Sequence, residues 1–147
     1  MKRYGGFTLI ESLLVLLVVS VMLGLPYLSF HRWGERMNAI YFFSEFEAYY
    51  HRTQLSAMTS SMPCTIYVKK KEVIFIYRDL AARQQLVSLD LPAEVTTSAD
   101  FSIQINGTSG NTKDMKSFNF FNTASKETVT YKIQLGSGKL DKEIQKL

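Results

Sequence analysis

Cysteine is nearly missing from this chain: Cys64 is the single one among 147 residues. No disulfide can close within the chain, so the fold is held by its core or by assembly with partners. A lone thiol of this kind reads as a small buried apolar residue, with pairing between chains as the alternative. Histidine is scarce as well. His31 and His51 are the two present, and no His–His or Cys–His pair stands at ligand spacing. They argue no metal site, and no nucleophile–base pair can be assembled. The sequence therefore offers no case for an enzyme and implies no cofactor. Nor is there a strong charge of one sign. Lys plus Arg number 17 against 13 Asp plus Glu, a net charge of +4, too mild to argue nucleic-acid binding from charge alone. A phosphate-binding loop is lacking too, although "GSGK" at 136–139 invites one. Leu140 follows where Ser or Thr is needed, and Ile133 stands where the first glycine should be.

What remains is a chain that is 46% apolar and 20% charged, neither disordered nor highly charged. Its length suits one domain plus an appended element. The appended element is at the start, where "GGFTLIESLLVLLVVSVMLG" fills residues 5–24 with one carboxylate, Glu11. As a helix, residues 7–25 span roughly 28 Å, against about 30 Å of bilayer hydrocarbon. Lys2 and Arg3 precede the run, which places the N-terminus in the cytoplasm and the bulk of the chain outside. A secretory signal peptide needs a small-residue cleavage pattern at the end of its apolar core. "VMLGLPYLSF" has none, and no lipoprotein cysteine follows. A plain anchor explains the length and the orientation. It leaves unexplained the glycine pair before Phe7, and also Glu11, which costs about 2.5–3.5 kcal/mol at a membrane centre.

The order glycine, Phe, Thr-Leu, Glu, Ser-Leu and an unbroken apolar run, "GGFTLIESLLVLLVV", resembles the class III signal of type IV pilins and pseudopilins. The resemblance implies a prepilin peptidase that cuts on the cytoplasmic side between Gly6 and Phe7. It also implies N-methylation of Phe7 and an assembly role for Glu11, the fifth residue after the cut. A new amine on Phe7 and a carboxylate one helical turn away, on the same or a neighbouring chain, are each costly in lipid and tolerable as a pair. Glu11 would then set the stagger between subunits of a helical filament; a snorkelling interfacial acid is the plain alternative. The corresponding division is a leader over 1–6, a transmembrane and filament-core helix over 7–26, and an extracytoplasmic globular part over 27–147.

Pro26 removes a backbone hydrogen bond and is expected to kink or locally melt the helix, with Gly24 weakening the same turn. Helical patterning resumes beyond it and runs to about Thr59, for a whole helix of roughly 80 Å. Met37, Tyr41, Ala48, Leu55 and Met58 lie on one face, and Asn38, Glu45 and Arg52 on another. "IYFFSEFEAYY" covers more than one stripe. One side is expected to pack on a sheet and the rest to meet neighbouring subunits; stacking of nucleic-acid bases is the less favoured use. "TSSMPC" ends the helix at Pro63. "CTIYVK" and "EVIFIYR" then form a hairpin signal with Lys69, Lys70 and Lys71 at its turn. That cluster is first a solvated turn and second a candidate DNA phosphate contact. "LVSLDLP", "FSIQING", "SFNFFN" and "TVTYKIQ" read as further strands, with a last short one after the glycine turn. Asn106-Gly107-Thr108 matches the glycosylation sequon, weak evidence here. The expected class is α+β, a pilin-like fold with a long N-terminal helix packed on an antiparallel β-sheet.

The early hairpin, the mature length and the ending "TYKIQLGSGKL" resemble ComGD-type competence pseudopilins of Gram-positive bacteria, and also GspH-like pseudopilins of type II secretion. The missing disulfide departs from the major pilins and favours a minor subunit. The competence resemblance implies a pilus for uptake of extracellular DNA in natural transformation. Its implied partners are other major and minor pseudopilins, the prepilin peptidase, the assembly ATPase and the membrane platform protein. The membrane itself serves before assembly, and DNA is met through the assembled pilus. A secretion pseudopilin and a non-polymerising membrane-anchored binding domain are the alternatives.

Overall fold

The computed structural model describes residues 8–112 and 117–147, with the backbone alone over 25–32. The described chain forms one long helix, α1 (Leu9–Ser60), followed by eight strands: β1 (Cys64–Val68), β2 (Glu72–Arg78), β3 (Gln84–Asp90), β4 (Val95–Thr97), β5 (Phe101–Ile105), β6 (Ser117–Asn122), β7 (Glu127–Ile133) and β8 (Leu140–Lys146). The α+β class expected from the sequence is the class observed. The chain divides into two compact units, Met1–Gly34 and Glu35–Leu147, with α1 contributing to both.

The helix starts where its cap is. Thr8 precedes it, and the Glu11 N–H donates to the Thr8 carbonyl at 3.0 Å and to Thr8 Oγ1 at 3.4 Å. Thr-x-x-Glu is the spacing of a capping box, and an acid in the first turn also suits the positive end of the helix dipole. The helix ends where Ser61 takes a left-handed φ of 53° and Pro63 denies it a further amide donor. Helical backbone continues through Pro26, which corrects the expected local melting: losing one bond leaves those of the flanking turns in place.

In the larger unit the core face of α1 is Ala39, Phe42, Phe43, Phe46, Tyr50, Thr53 and Ala57, a run of three- and four-residue steps. The strands form two antiparallel four-stranded sheets, ordered β3-β2-β1-β5 and β4-β6-β7-β8. The single sheet expected from the sequence is thus two. Strands β1, β2, β5, β6 and β7 alternate buried and open positions, the period of a sheet with one covered face. Phe46 joins the layers: its ring lies 5.9 Å from Phe75 on the first sheet, and 5.6 and 5.2 Å from Phe120 and Tyr131 on the second. Phe101 and Phe118 join the sheets directly at 4.9 Å. Cys64, 2% exposed, belongs to this core, as its reading as a small apolar residue anticipated.

Candidate processing site and assembly surface

The inferred cut between Gly6 and Phe7 lies outside the described residues. Just beyond it, from Leu9 to Leu23, the apolar side chains of α1 are exposed, Leu9 at 79% and Met22 at 70%. Within this stretch Ser12 donates to the Leu9 carbonyl at 2.9 Å and Ser20 to the Leu16 carbonyl at 2.8 Å. Both hydroxyls are thereby satisfied inside the helix, as an apolar surround requires. The Glu11 carboxylate differs from them. It is exposed and has no hydrogen-bond or ion-pair partner among the described residues.

A second surface lies on the larger unit. Ile40, Tyr41, Leu55 and Met58 are all at least half exposed, Tyr41 at 62% and Leu55 at 65%. On a 3.6-residue period they fall on one side of α1, opposite Phe46 and Tyr50. The stripe seen in the sequence through Met37, Tyr41, Ala48, Leu55 and Met58 is therefore the outward stripe, and the inward one is carried by the phenylalanines between. Ile40 with Tyr41, and Leu55 with Met58, thus form two exposed apolar patches on that side, with Ala48 between them.

Lys69, Lys70 and Lys71 sit at the β1–β2 turn, exposed. Acids accompany them. Lys69 Nζ pairs with Glu72 at 3.0 Å, and the Lys70 backbone N–H donates to Asp100 Oδ1 at 3.0 Å. The cluster is less basic than its sequence, with Lys70 and Lys71 keeping open ammonium groups among the described residues. "GSGK" forms the β7–β8 turn. Gly136 and Gly138 take φ of 93° and 63°, Tyr50 donates its hydroxyl proton to the Gly138 carbonyl at 2.8 Å, and Gln54 bridges to the Gly110 and Ser137 carbonyls at 3.0 Å each. Gly138 serves close packing against Gln54 of α1 and the Gly110 carbonyl, and Gly136 supplies the left-handed backbone of an open turn. Asn106 Oδ1 of the sequon accepts from the Thr108 N–H and hydroxyl, both at 3.0 Å, an Asx turn.

One cluster was invisible in the sequence. Glu47 Oε1 accepts from the Tyr131 hydroxyl at 2.7 Å and from Lys142 Nζ at 2.8 Å. The same ammonium stands 5.2 Å from the Phe43 ring centre. Burial pushes the Glu47 carboxyl upward, but the two hydrogen bonds and the Lys142 charge outweigh it and hold its pKa below the usual value. Burial, with Glu47 beside it, raises that of Tyr131. The partners are 84 and 95 residues from Glu47, and no local spacing could have revealed them. The cluster pins α1 to β7 and β8.

A family model described as the prokaryotic N-terminal methylation motif matches residues 1–25. Together with a long helix packed on antiparallel sheets, the match supports a type IV pilin-like protein. Such a signal implies processing by prepilin peptidase, membrane anchoring, and assembly with other pilins. It points to a structural subunit rather than to an enzyme. Comparison with curated proteins and with solved structures finds no significant match. Among the described residues no helix is long and apolar enough to cross a membrane. The described part of the apolar run begins at Leu9, and the side chains of 25–32 are outside it.

Proposed function

We propose that this chain is a minor pseudopilin of a competence pilus, assembling with other pseudopilins for uptake of extracellular DNA. Cleavage between Gly6 and Phe7 frees an amine on Phe7, which is then N-methylated. Glu11 neutralises that amine on its own or an adjacent subunit and so sets the filament stagger. The observation that carries this reading is the matched N-terminal motif, together with a Glu11 carboxylate that is the unanswered polar group on the described apolar rod. Removing two charges from water together costs less than removing either alone, because each supplies the other's lost solvation. The outward stripe through Tyr41 and Leu55 extends the subunit contact along α1. The division into a leader over 1–6, a membrane and filament-core helix over 7–26 and a globular part over 27–147 belongs to the same reading.

The competence role, as against protein export, is supported by the resemblance of the early hairpin and of the stretch "TYKIQLGSGKL". Lys70 and Lys71 are the groups left open at the β1–β2 turn for phosphate contact in the assembled pilus, with Lys69 shared with Glu72. The test combines mass spectrometry of the membrane-extracted protein with the Glu11→Val variant in a transformable host. Loss of residues 1–6 with a methylated Phe7 is expected. Glu11→Val should still lose the leader, yet enter pili poorly and transform at reduced frequency. Retention of residues 1–6, or normal pilus incorporation of the variant, overturns the assignment. A deletion strain that transforms normally but fails to export proteins moves the chain to the secretion system.

A further inference from the structure

Within the larger unit, the last turns of α1 and the β2–β3 turn line an open groove of about 600 Å³, walled by Arg52, Leu55, Tyr77, Arg78, Leu80 and Arg83 among others. Its charges are unevenly matched. The one acid in the wall, Asp79, is fully engaged: Oδ1 accepts from the Ala81 and Arg83 N–H groups at 2.9 Å each, and Oδ2 lies 3.2 Å from Gln85 Nε2 and 3.3 Å from Arg83 Nε. Asp79 and Arg83 therefore answer one another. Arg52 and Arg78 have no such answer. The Arg52 guanidinium lies 5.1 Å from the Tyr77 ring centre and Arg78 donates to the Ala82 carbonyl at 2.9 Å. Neither has a carboxylate within ion-pair distance among the described residues. A guanidinium carries five N–H donors, so most of those donors remain unused.

The rest of the wall limits what these donors can receive. The hydroxyls of Ser56, Thr59 and Ser60 have each given their proton to a backbone carbonyl, at 2.7, 2.9 and 2.8 Å. Thr59 and Ser60 belong to the carbonyl end of α1, whose partial negative charge opposes a dianion more than a monoanion. Leu80 stands 99% exposed at the tip of the turn and Leu55 is 65% exposed. Tyr77 is 5% exposed, too covered for a base to stack on it. The lysines of the β1–β2 turn are at the other end of the seven-residue strand β2, about 23 Å away, so the two basic groups do not form one phosphate track.

We infer that this groove binds a single carboxylate flanked by apolar side chains, the chemistry of a glutamate within a leucine-rich peptide segment of a partner protein. Arg52 and Arg78 take the carboxylate, and Leu55 and Leu80 cover its apolar neighbours. The site lies wholly within Glu35–Leu147 and does not depend on N-terminal processing, so it stands or falls separately from the pilus assignment.

The test monitors the guanidinium Nε–H resonances of Arg52 and Arg78 in the full chain held in detergent micelles. The probes are acetyl-Leu-Glu-Leu-amide, its glutamine analogue, inorganic phosphate and a short DNA duplex. The glutamate peptide should shift both resonances saturably and bind about tenfold or more tightly than the glutamine peptide, the worth of one charge-assisted hydrogen bond. That preference should vanish in Arg52→Gln/Arg78→Gln. It should vanish also in Leu80→Glu, whose site is too exposed for the change to threaten folding, and persist in Lys70→Gln. Equal binding of the two peptides, no shift with either, or preferred binding of phosphate or duplex at these arginines overturns the assignment.

Discussion

Replacing Phe46 and Leu55, each by alanine, tests which side of α1 is the core. Phe46 is fully buried, with five aromatic rings centred 5.2–6.4 Å from its own. Truncating such a residue costs about 3–5 kcal/mol, through lost burial and an unfilled cavity. Against a total stability of about 5–15 kcal/mol that is a large fraction. At about 4 °C per kcal/mol it lowers Tm by about 12–20 °C. Leu55 is 65% exposed. Only a third of its burial, about 1.5–3 kcal/mol when complete, is at stake, and alanine returns a little helix propensity. The expected loss is below about 1 kcal/mol, or about 4 °C. The assay is thermal unfolding of the full chain in micelles, tracked by the circular dichroism of the sheets, beside pilus incorporation in cells. Phe46→Ala should melt early. Leu55→Ala should melt almost normally and assemble poorly. Equal destabilisation by both, or an unaffected Phe46→Ala, would refute the division of α1 into a core face and an outward face.

Four further substitutions have expected outcomes. Gly138→Ala puts a Cβ 2.5 Å from the Gly110 carbonyl oxygen and 2.7 Å from Gln54 Nε2 at a left-handed φ of 63°. It should cost about 2–4 kcal/mol in backbone strain and broken bonds, whereas Gly136→Ala, with nothing within 4 Å, should cost only the strain, about 1–2 kcal/mol; denaturant titration separates them. Glu47 has a lowered carboxyl pKa, so its contribution is complete above the ordinary value of 4.5 and is lost as pH falls through the folded value; Glu47→Gln should flatten the acid side of a Tm–pH profile. The Tyr50 hydroxyl is pushed up to about 12 by burial, so its contribution is complete below the ordinary value of 10 and disappears as pH rises through the folded one; Tyr50→Phe should reduce the alkaline fall in Tm, measured on the same profile.

Sequence alone determined what depends on near neighbours. The N-terminal methylation motif, the apolar rod with Glu11 near its head, the stop at Pro63, the β1–β2 hairpin and the positions of β3, β5, β6 and β7 were all legible, because motifs, caps, turns and side-chain alternation act over a few residues. β4 was missed: three residues, Val95–Thr97, are too few to show a period. Tertiary structure decided the rest. It divided the strands between two sheets, since "VTT" and "TYKI" acquire their place only by pairing with β6. It turned Phe42, Phe43 and Phe46 inward and Tyr41 and Leu55 outward, where the helical pattern alone allowed several faces. It gave Glu47 its lysine and tyrosine, left Arg52 and Arg78 without an acid among the described residues, and made "GSGK" a packing turn. Each of these depends on which distant segments meet. The free energy that selects them is apolar area jointly removed from water, a property of surfaces in contact rather than of residues in a row.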